Sequence, residues 1–204
     1  LKAGETSSVT FTFNEAPQGF ALGDIASAQG SFSGLTATAN PLVWTATFTP
    51  NTNIEDTATV TVTAGSYTDV AGNLGTAGSD TTLVDTQGPA APTLALTTDS
   101  GVSSSDKITN DGTLTVSGTE TGALVEYSTN GTDWSSSFTP AQGSNTVYVR
   151  QTDSAGNVSP ASPALTFTYD TTAPSVTVDI AATALKAGET SSVTLTFRSE
   201  ERRV

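Results

Sequence analysis

The side chains best placed to do chemistry in this sequence are carboxylates, and they come in a cassette that occurs twice. The first copy is Asp69-Val70-Ala71-Gly72-Asn73, followed 16 positions after Asp69 (85 − 69) by Asp85-Thr86-Gln87-Gly88-Pro89. The second is Asp153-Ser154-Ala155-Gly156-Asn157, followed 17 positions after Asp153 (170 − 153) by Asp170-Thr171-Thr172-Ala173-Pro174. Each copy is an acidic turn, a strand-length segment and an acid entering a proline linker. Carboxylate, amide and turn-carbonyl oxygens are hard donors, the set that calcium takes at six to eight positions.

Composition narrows the chemistry further. The 204 residues contain no Cys, Met or His. That removes disulfides and thiolate sites, the commonest general base and the commonest transition-metal ligand. Twenty acids against seven bases give a formal charge of −13, which opposes binding to nucleic acid and docking on anionic lipid. No apolar run approaches the ~20 residues that cross a bilayer. No charged leader with an apolar core opens the sequence, so an export address is expected outside these residues and the chain reads as a piece of something longer.

The elements that must position the acids are strands. Val9, Phe11 and Phe13 alternate with Thr10 and Thr12; Trp44, Ala46 and Phe48 alternate with Thr45 and Thr47; Ala58, Val60 and Val62 follow. Val147 and Val149, then Leu165, Phe167 and Tyr169, repeat the pattern further on. Period two with β-branched residues predicts half-buried strands. Asn130-Gly131 is the strongest short hairpin signal. Trp44-x-x-x-Phe48-Thr49-Pro50 matches Trp134-x-x-x-Phe138-Thr139-Pro140, which predicts a tryptophan-bearing strand in each unit, its ring packed between two sheets. The expected fold is all-β: tandem immunoglobulin-like β-sandwich domains of ~85 residues and about seven strands each, joined end to end. The expected boundaries are 1–87 for a type A domain lacking its opening strand, 88–172 for type B, and 173–204 for the truncated start of another type A domain. Domains this small bury only about 60–65% of their unfolded surface, so a bound ion would help hold them.

The third unit rests on a direct repeat. Residues 185–194 copy residues 1–10 letter for letter, at offset 184 (185 − 1), and Thr196-Phe197 copy Thr12-Phe13 with Leu195 in place of Phe11. Val176, Val178 and Ile180 alternate just ahead, as the opening strand of type A. The first domain thus has an open edge while an opening strand lies at the far end of the chain. Head-to-tail strand exchange between molecules is one consequence. The tail 198–204, which holds three of the seven bases, reads as an artificial end or a frame change.

These motifs together resemble the bacterial Ig-like tandem repeat (extender) domains of large RTX or biofilm-associated adhesins exported by type I secretion. Val9-Thr10-Phe11-Thr12-Phe13-Asn14-Glu15, the Trp44–Pro50 motif and Tyr67–Asn73 carry the resemblance in type A. Thr98–Gly101, Asp106–Gly112, Thr146–Asp153 and Asp170–Pro174 carry it in type B. The resemblance covers nearly everything up to Phe197. It implies a structural stalk segment of a cell-surface adhesin, extracellular, with neighbouring Ig-like repeats as partners and Ca²⁺ at the junctions stiffening the array.

In such a sandwich the B–C and F–G loops lie at the end where the chain enters. Glu120, Asp153 and Asn157 of type B and the linker acid Asp85 therefore converge on one expected calcium site. Type A offers Glu15, Asp69 and Asn73, and Asp170 would serve the following domain, in which Glu200 would stand in for Glu15 one position past its place at offset 184 (15 + 184 = 199). The loop acids Asp99, Asp106 and Asp111 are a second candidate, without EF-hand spacing. Capping of the turns by their own Asp and Asn side chains is the competing explanation. The rival functions are weaker. An enzyme lacks nucleophile–base pairs, and adjacent acids such as Glu55-Asp56 point to opposite faces of a strand. A ligand-binding Ig-like module, for carbohydrate or a surface protein, would use the threonine-rich faces. Those threonines alternate with core residues as on ordinary solvent-facing strands.

Overall fold

The computed structural model describes residues 1–181 and 184–198. Glu200 and most of the basic tail, to which the sequence assigned a site role and an artificial end, lie outside the described residues. The chain divides into two compact units. The first comprises Leu1–Ala95, Thr115–Phe138 and Val147–Leu165; the second comprises Leu96–Leu114, Thr139–Thr146 and Thr166–Val204.

The alternating threonine strands form as their period requires. In residues 1–85 they are β1 (Ser7–Thr12), β2 (Ile25–Ala26), β3 (Gly30–Ala37), β4 (Val43–Pro50), β5 (Glu55–Val62) and β6 (Gly78–Asp85). A single 3-10 turn, Leu22–Asp24, lies between β1 and β2; the Asp24 carboxylate caps it by accepting from Ala21 N–H at 2.8 Å. One sheet has the order β1-β4-β3 and the other β2-β5-β6. Their inner faces meet in a core where Phe11 and Ala46 of the first sheet pack with Ile25 and Val60 of the second. Phe20 is its aromatic hub, edge-on to Phe11, Phe13, Trp44 and Tyr67 with centroids 5.0–5.8 Å apart. Such pairs contribute about 0.5–1.5 kcal/mol each beyond the area they bury. A second cluster unites Phe48, Ala58 and Val84. The backbone of Gly30 runs so close to Phe48 that a Cβ there would strike its ring and the Thr49 carbonyl.

Further strands are β7 (Thr93–Leu96), β8 (Ile108–Thr109), β9 (Leu114–Ser117), β10 (Leu124–Ser128), β11 (Gly143–Thr152) and β12 (Leu165–Tyr169). β7 pairs with β9, β10 lies antiparallel to β11, and β8 runs parallel to β12. Each half thus carries six such strands among the described residues, against the expected seven or so. The shortfall in the second half lies at Trp134, which is not in a strand. The Asn130-Gly131 turn forms, with Gly131 at φ +78°, but the chain returns in one bridge between Tyr127 and Ser135 and then stops pairing. Ser135-Ser136-Ser137 stands where β4 has Thr45-Ala46-Thr47. Serine offers the backbone local hydrogen bonds and lacks the branched side chain that fits a pleated surface. The expected tryptophan strand is therefore real at Trp44 and absent at Trp134. The Trp134 ring is half-buried with the Arg150 guanidinium 4.3 Å from its centroid, and Arg150 also pairs with Glu126 at 2.9 Å.

The last strands, β13 (Ser175–Ile180) and β14 (Val193–Arg198), form an antiparallel two-stranded sheet in the second unit. Every residue in both strands is exposed.

Candidate functional site

The two acidic turns fold alike because one side chain closes each. Asp69 Oδ1 accepts from Asn73 N–H at 2.8 Å and Asp69 Oδ2 from the Asn73 amide at 2.7 Å. Asp153 Oδ1 accepts from Gly156 N–H at 2.7 Å and Asn157 N–H at 2.8 Å, and its Oδ2 accepts from the Asn157 amide at 2.9 Å. The tight bend puts Gly72 and Gly156 at φ +88° and +95°, where a side chain is strained. Capping by Asp and Asn thus accounts for the turn motif in both copies. The copies differ in their surroundings: Asn73 is exposed, whereas Asn157 is buried.

Burial gives Asn157 further partners. Its Oδ1 accepts from Ala3 N–H at 2.8 Å, and its amide donates to the Asp85 carbonyl at 3.0 Å and to Asp85 Oδ1 at 3.3 Å. Asn157 therefore ties residue 3, the first linker and the second acidic turn together. Its amide nitrogen, not its oxygen, faces the carboxylates, which differs from the ligand role expected of it. Gln151, fully buried on β11, does similar work next to it. Its Nε2 donates to the carbonyls of Ala90 at 2.8 Å and Gly118 at 3.1 Å, while its Oε1 accepts from Glu120 N–H at 2.8 Å. Thr86 anchors the linker from the other side, donating to Asn51 O at 2.8 Å and accepting from Ile54 N–H at 3.1 Å. Gly88 lies so near the Val158 carbonyl that a Cβ there would sit 3.3 Å from it.

Against this joint lies a cavity of about 320 Å³ lined by Glu55, Asp85, Gln87, Glu120, Thr121, Ala123, Asp153 and Ser154. Asp85, Glu120 and Asp153, which loop placement in a sandwich brings to one end, all line it together with Glu55. Glu55 and Asp85 are direct cross-strand partners in the β5–β6 register, and like charges directly opposite destabilise a sheet. Among the described residues no basic side chain forms an ion pair with any of the four acids. Lys2 lies over the turn, its Nζ 3.3 Å from where a Gly156 Cβ would be. As the side chains are placed, no three acids among the described residues are grouped closely enough to hold a metal ion. The donor chemistry and the free volume suit a hydrated hard cation; the spacing requires water to complete any shell.

The remaining expected ligands are not brought together. Glu15 is exposed, and its side chain forms no hydrogen bond among the described residues. Asp170 Oδ1 accepts from Gln142 Nε2 at 2.5 Å and Thr172 N–H at 2.9 Å, while Gln142 Oε1 accepts from Thr171 N–H at 3.1 Å, so Gln142 wraps the second linker. In the 99–112 loop each acid turns onto the loop backbone. Asp99 Oδ2 accepts from Lys107 N–H, Asp106 Oδ1 from Ile108 N–H, and Asp111 Oδ1 from Thr113 N–H and its hydroxyl. Asp99 Oδ1 is buried without a hydrogen-bond partner. Buried Thr109 pins this loop, donating to Thr98 O and accepting from Asp111 N–H.

Hydrogen bonding holds several of these carboxyls below their ordinary value. The Asn73 amide lowers Asp69, the Thr113 hydroxyl lowers Asp111, and Thr172 N–H lowers Asp170. For Asp153 desolvation is the largest single influence and acts upward, but the donors from Asn157, Gly156 and Ala155 together outweigh it. A carboxyl depressed in the folded state stabilises the fold above its unfolded pKa, and that stability is lost as pH falls through the folded pKa. Stability is therefore expected to hold above pH ~4 and to fall progressively below it, as calorimetric melting across pH 2–6 would show. Asp153→Asn should flatten that fall.

Two three-stranded sheets packed face to face over an aromatic core define an immunoglobulin-like sandwich, and the described residues are all-β apart from one 3-10 turn. A bacterial Ig-like domain model matches residues 1–86, and a second, separate bacterial Ig-like domain model matches residues 87–171. The chain carries two bacterial Ig-like domains in tandem, each with the other as neighbouring repeat. No curated protein matches it. Ig-like domain families are typically non-enzymatic structural modules, and bacterial ones are commonly extracellular or surface-exposed. Among the described residues no helix is long and apolar enough to cross a membrane.

Sequence reasoning missed Gln151, Gln142 and Glu55. Gln151 had a signal: it continues the inward alternation of Val147 and Val149, and a polar residue at a core position must have buried partners.

Proposed function

We propose that this chain is a structural extender segment of a bacterial cell-surface adhesin of the large type I-secreted kind, and that its role is to transmit length and stiffness rather than to catalyse or bind a target. The observation that carries the reading is the grip on the first linker. Gln151 and Asn157, from the domain matched at 87–171, seize the backbone at Asp85, Ala90 and Ala3. A hinge or a flexible tether has no use for buried amides closed on its carbonyls; a spacer does.

Calcium is the proposed second component. Glu55, Asp85, Glu120 and Asp153 would hold it with water, and the ion would neutralise their mutual repulsion, above all between the cross-strand partners Glu55 and Asp85. The net charge of −13 and the absence of His and Cys favour a hard cation over a transition metal. Titration calorimetry with Ca²⁺ and with Mg²⁺ on the chelator-stripped chain tests this part. Calcium is expected to bind with preference over magnesium and, at about a hundredfold over its Kd, to add roughly 2.7 kcal/mol of stability. No heat and no shift in melting temperature would remove calcium from the proposal and leave the amide grip.

A further inference from the structure

We propose that the turn Lys2–Glu5 is a preformed docking peg, and that its partner is an Asp-x-Ala-Gly-Asn turn of the adjoining repeat, met here at Asp153–Asn157. This rests on the amide grip on the first linker and adds what the first domain brings to that grip. It is independent of calcium.

The peg is closed by its own bonds. Glu5 N–H donates to the Lys2 carbonyl at 3.1 Å, and Lys2 N–H donates to Glu5 Oε2 at 3.1 Å. Gly4 has φ +80°, whereas Ala3 is not among the residues at positive φ. That combination is a type II turn, with Ala3 in its second position and Gly4 in its third. The same four letters recur at Lys186–Glu189, in the other compact unit. There Glu189 N–H donates to the Lys186 carbonyl at 3.0 Å, Lys186 N–H donates to Glu189 Oε2 at 2.9 Å, and Gly188 has φ +89°. The turn takes one shape in two settings, so its own four residues fix it. A shape set before contact loses less conformational entropy on contact.

The peg's closure leaves one donor for its partner. Ala3 N–H is not used inside the turn and reaches Asn157 Oδ1 at 2.8 Å. That oxygen is free to accept because the amide nitrogen of Asn157 is committed to Asp153 Oδ2 at 2.9 Å and to the Asp85 carbonyl at 3.0 Å. Beside this bond the Lys2 side chain lies over Gly156, where a Cβ would come 3.3 Å from both Cδ and Nζ. Gly156 thus serves twice: it holds φ +95°, which side chains rarely adopt, and it leaves room for the lysine stem. The base of the peg is fixed beside the linker, since the Leu1 carbonyl accepts from Asp85 N–H at 2.8 Å. The neighbour that fits is one whose acidic turn offers an amide oxygen next to a bare glycine.

The repeat supplies the control for the test. Leu-Lys-Ala-Gly-Glu surrounds both Ala3 and Ala187, so their unprotected exchange rates are alike, and among the described residues Ala187 N–H has no acceptor. In the whole chain, amide hydrogen exchange followed by NMR is expected to be at least about tenfold slower at Ala3 than at Ala187. Asn157→Ala should erase the difference. Proline suits the second position of a type II turn and has no N–H, so Ala3→Pro keeps the peg and deletes its contact. It should speed proteolysis of the 85–92 linker by roughly fivefold to tenfold, the effect of losing one hydrogen bond, whereas Ala187→Pro should leave the rate unchanged. Equal exchange at the two alanines, or a linker unaffected by Ala3→Pro, would overturn the peg. If Ala3→Pro is silent while Asn157→Ala still loosens the linker, the peg falls and the grip on Asp85 stands; if both are silent, both fall.

Discussion

Replacing Gln151 by alanine is expected to lower the stability of the second Ig-like domain by about 3 kcal/mol. The side chain is fully buried and makes three hydrogen bonds, to Ala90, Gly118 and Glu120. Alanine cannot replace any of them, and each buried group left unpaired costs about 1–3 kcal/mol before relaxation. In a domain of this size that loss lowers the melting temperature by roughly 10–20 °C. Gln151→Leu separates packing from polarity: it fills the space but strands the same three groups, so it should be nearly as damaging. Gln151→Glu keeps one acceptor, loses the amide donor and buries a charge, and should be the worst of the three. Thermal melts of the three variants check the order. Because Ala90 belongs to the linker, the same variants should loosen the joint, read as faster proteolysis between residues 85 and 92.

The second large effect is expected at Asn157. Asn157→Ala removes the bond from Ala3 N–H and the amide that lies between Asp85 and Asp153, at a cost of about 2 kcal/mol. It also leaves those two carboxylates without the donor that separates them. The loss should be largest in chelator and partly recovered by calcium, since an ion supplies the positive partner that the amide supplied. Asn157→Asp sharpens the point by adding a third carboxylate where the amide stood. It should be less stable than Asn157→Ala in chelator and gain more from calcium. Asn73→Ala, at the exposed twin of this turn, should cost under about 1 kcal/mol, because there the amide closes only its own loop. Urea denaturation of the three proteins with and without calcium gives the comparison.

What the sequence made legible follows from which forces are local. Period-two alternation through Val9, Phe11 and Phe13, and through Val147 and Val149, marks strands because burial on one face dictates it. The convergence of Asp85, Glu120 and Asp153 was readable because sandwich connectivity carries loops and linker to one end. Glu55 was hidden: beside Asp56 it looks like a solvated strand end, and only the β5–β6 register sets it opposite Asp85. Asn157 was legible as a position, but not its buried hydrogen bonds to Ala3 and Asp85, which depend on contacts far apart in sequence. Trp134 misled for the opposite reason. Its motif copies Trp44, but three serines do not sustain the strand that threonine and alanine sustain, and the ring rests under Arg150 instead. The acids of the 99–112 loop were grouped by number, whereas each had a nearer partner in its own backbone.

On the proposed function, the buried amides of Gln151 and Asn157 hold the first linker as a stiff spacer and calcium tightens it. Small-angle scattering of the chain in calcium and in chelator, extrapolated to infinite dilution so that single chains are measured, tests it most directly. A larger maximum dimension and a sharper rod-like distance distribution are expected in calcium, reversed by chelator. Superimposable curves in the two conditions, with the broad distribution of two freely jointed bodies, would contradict it.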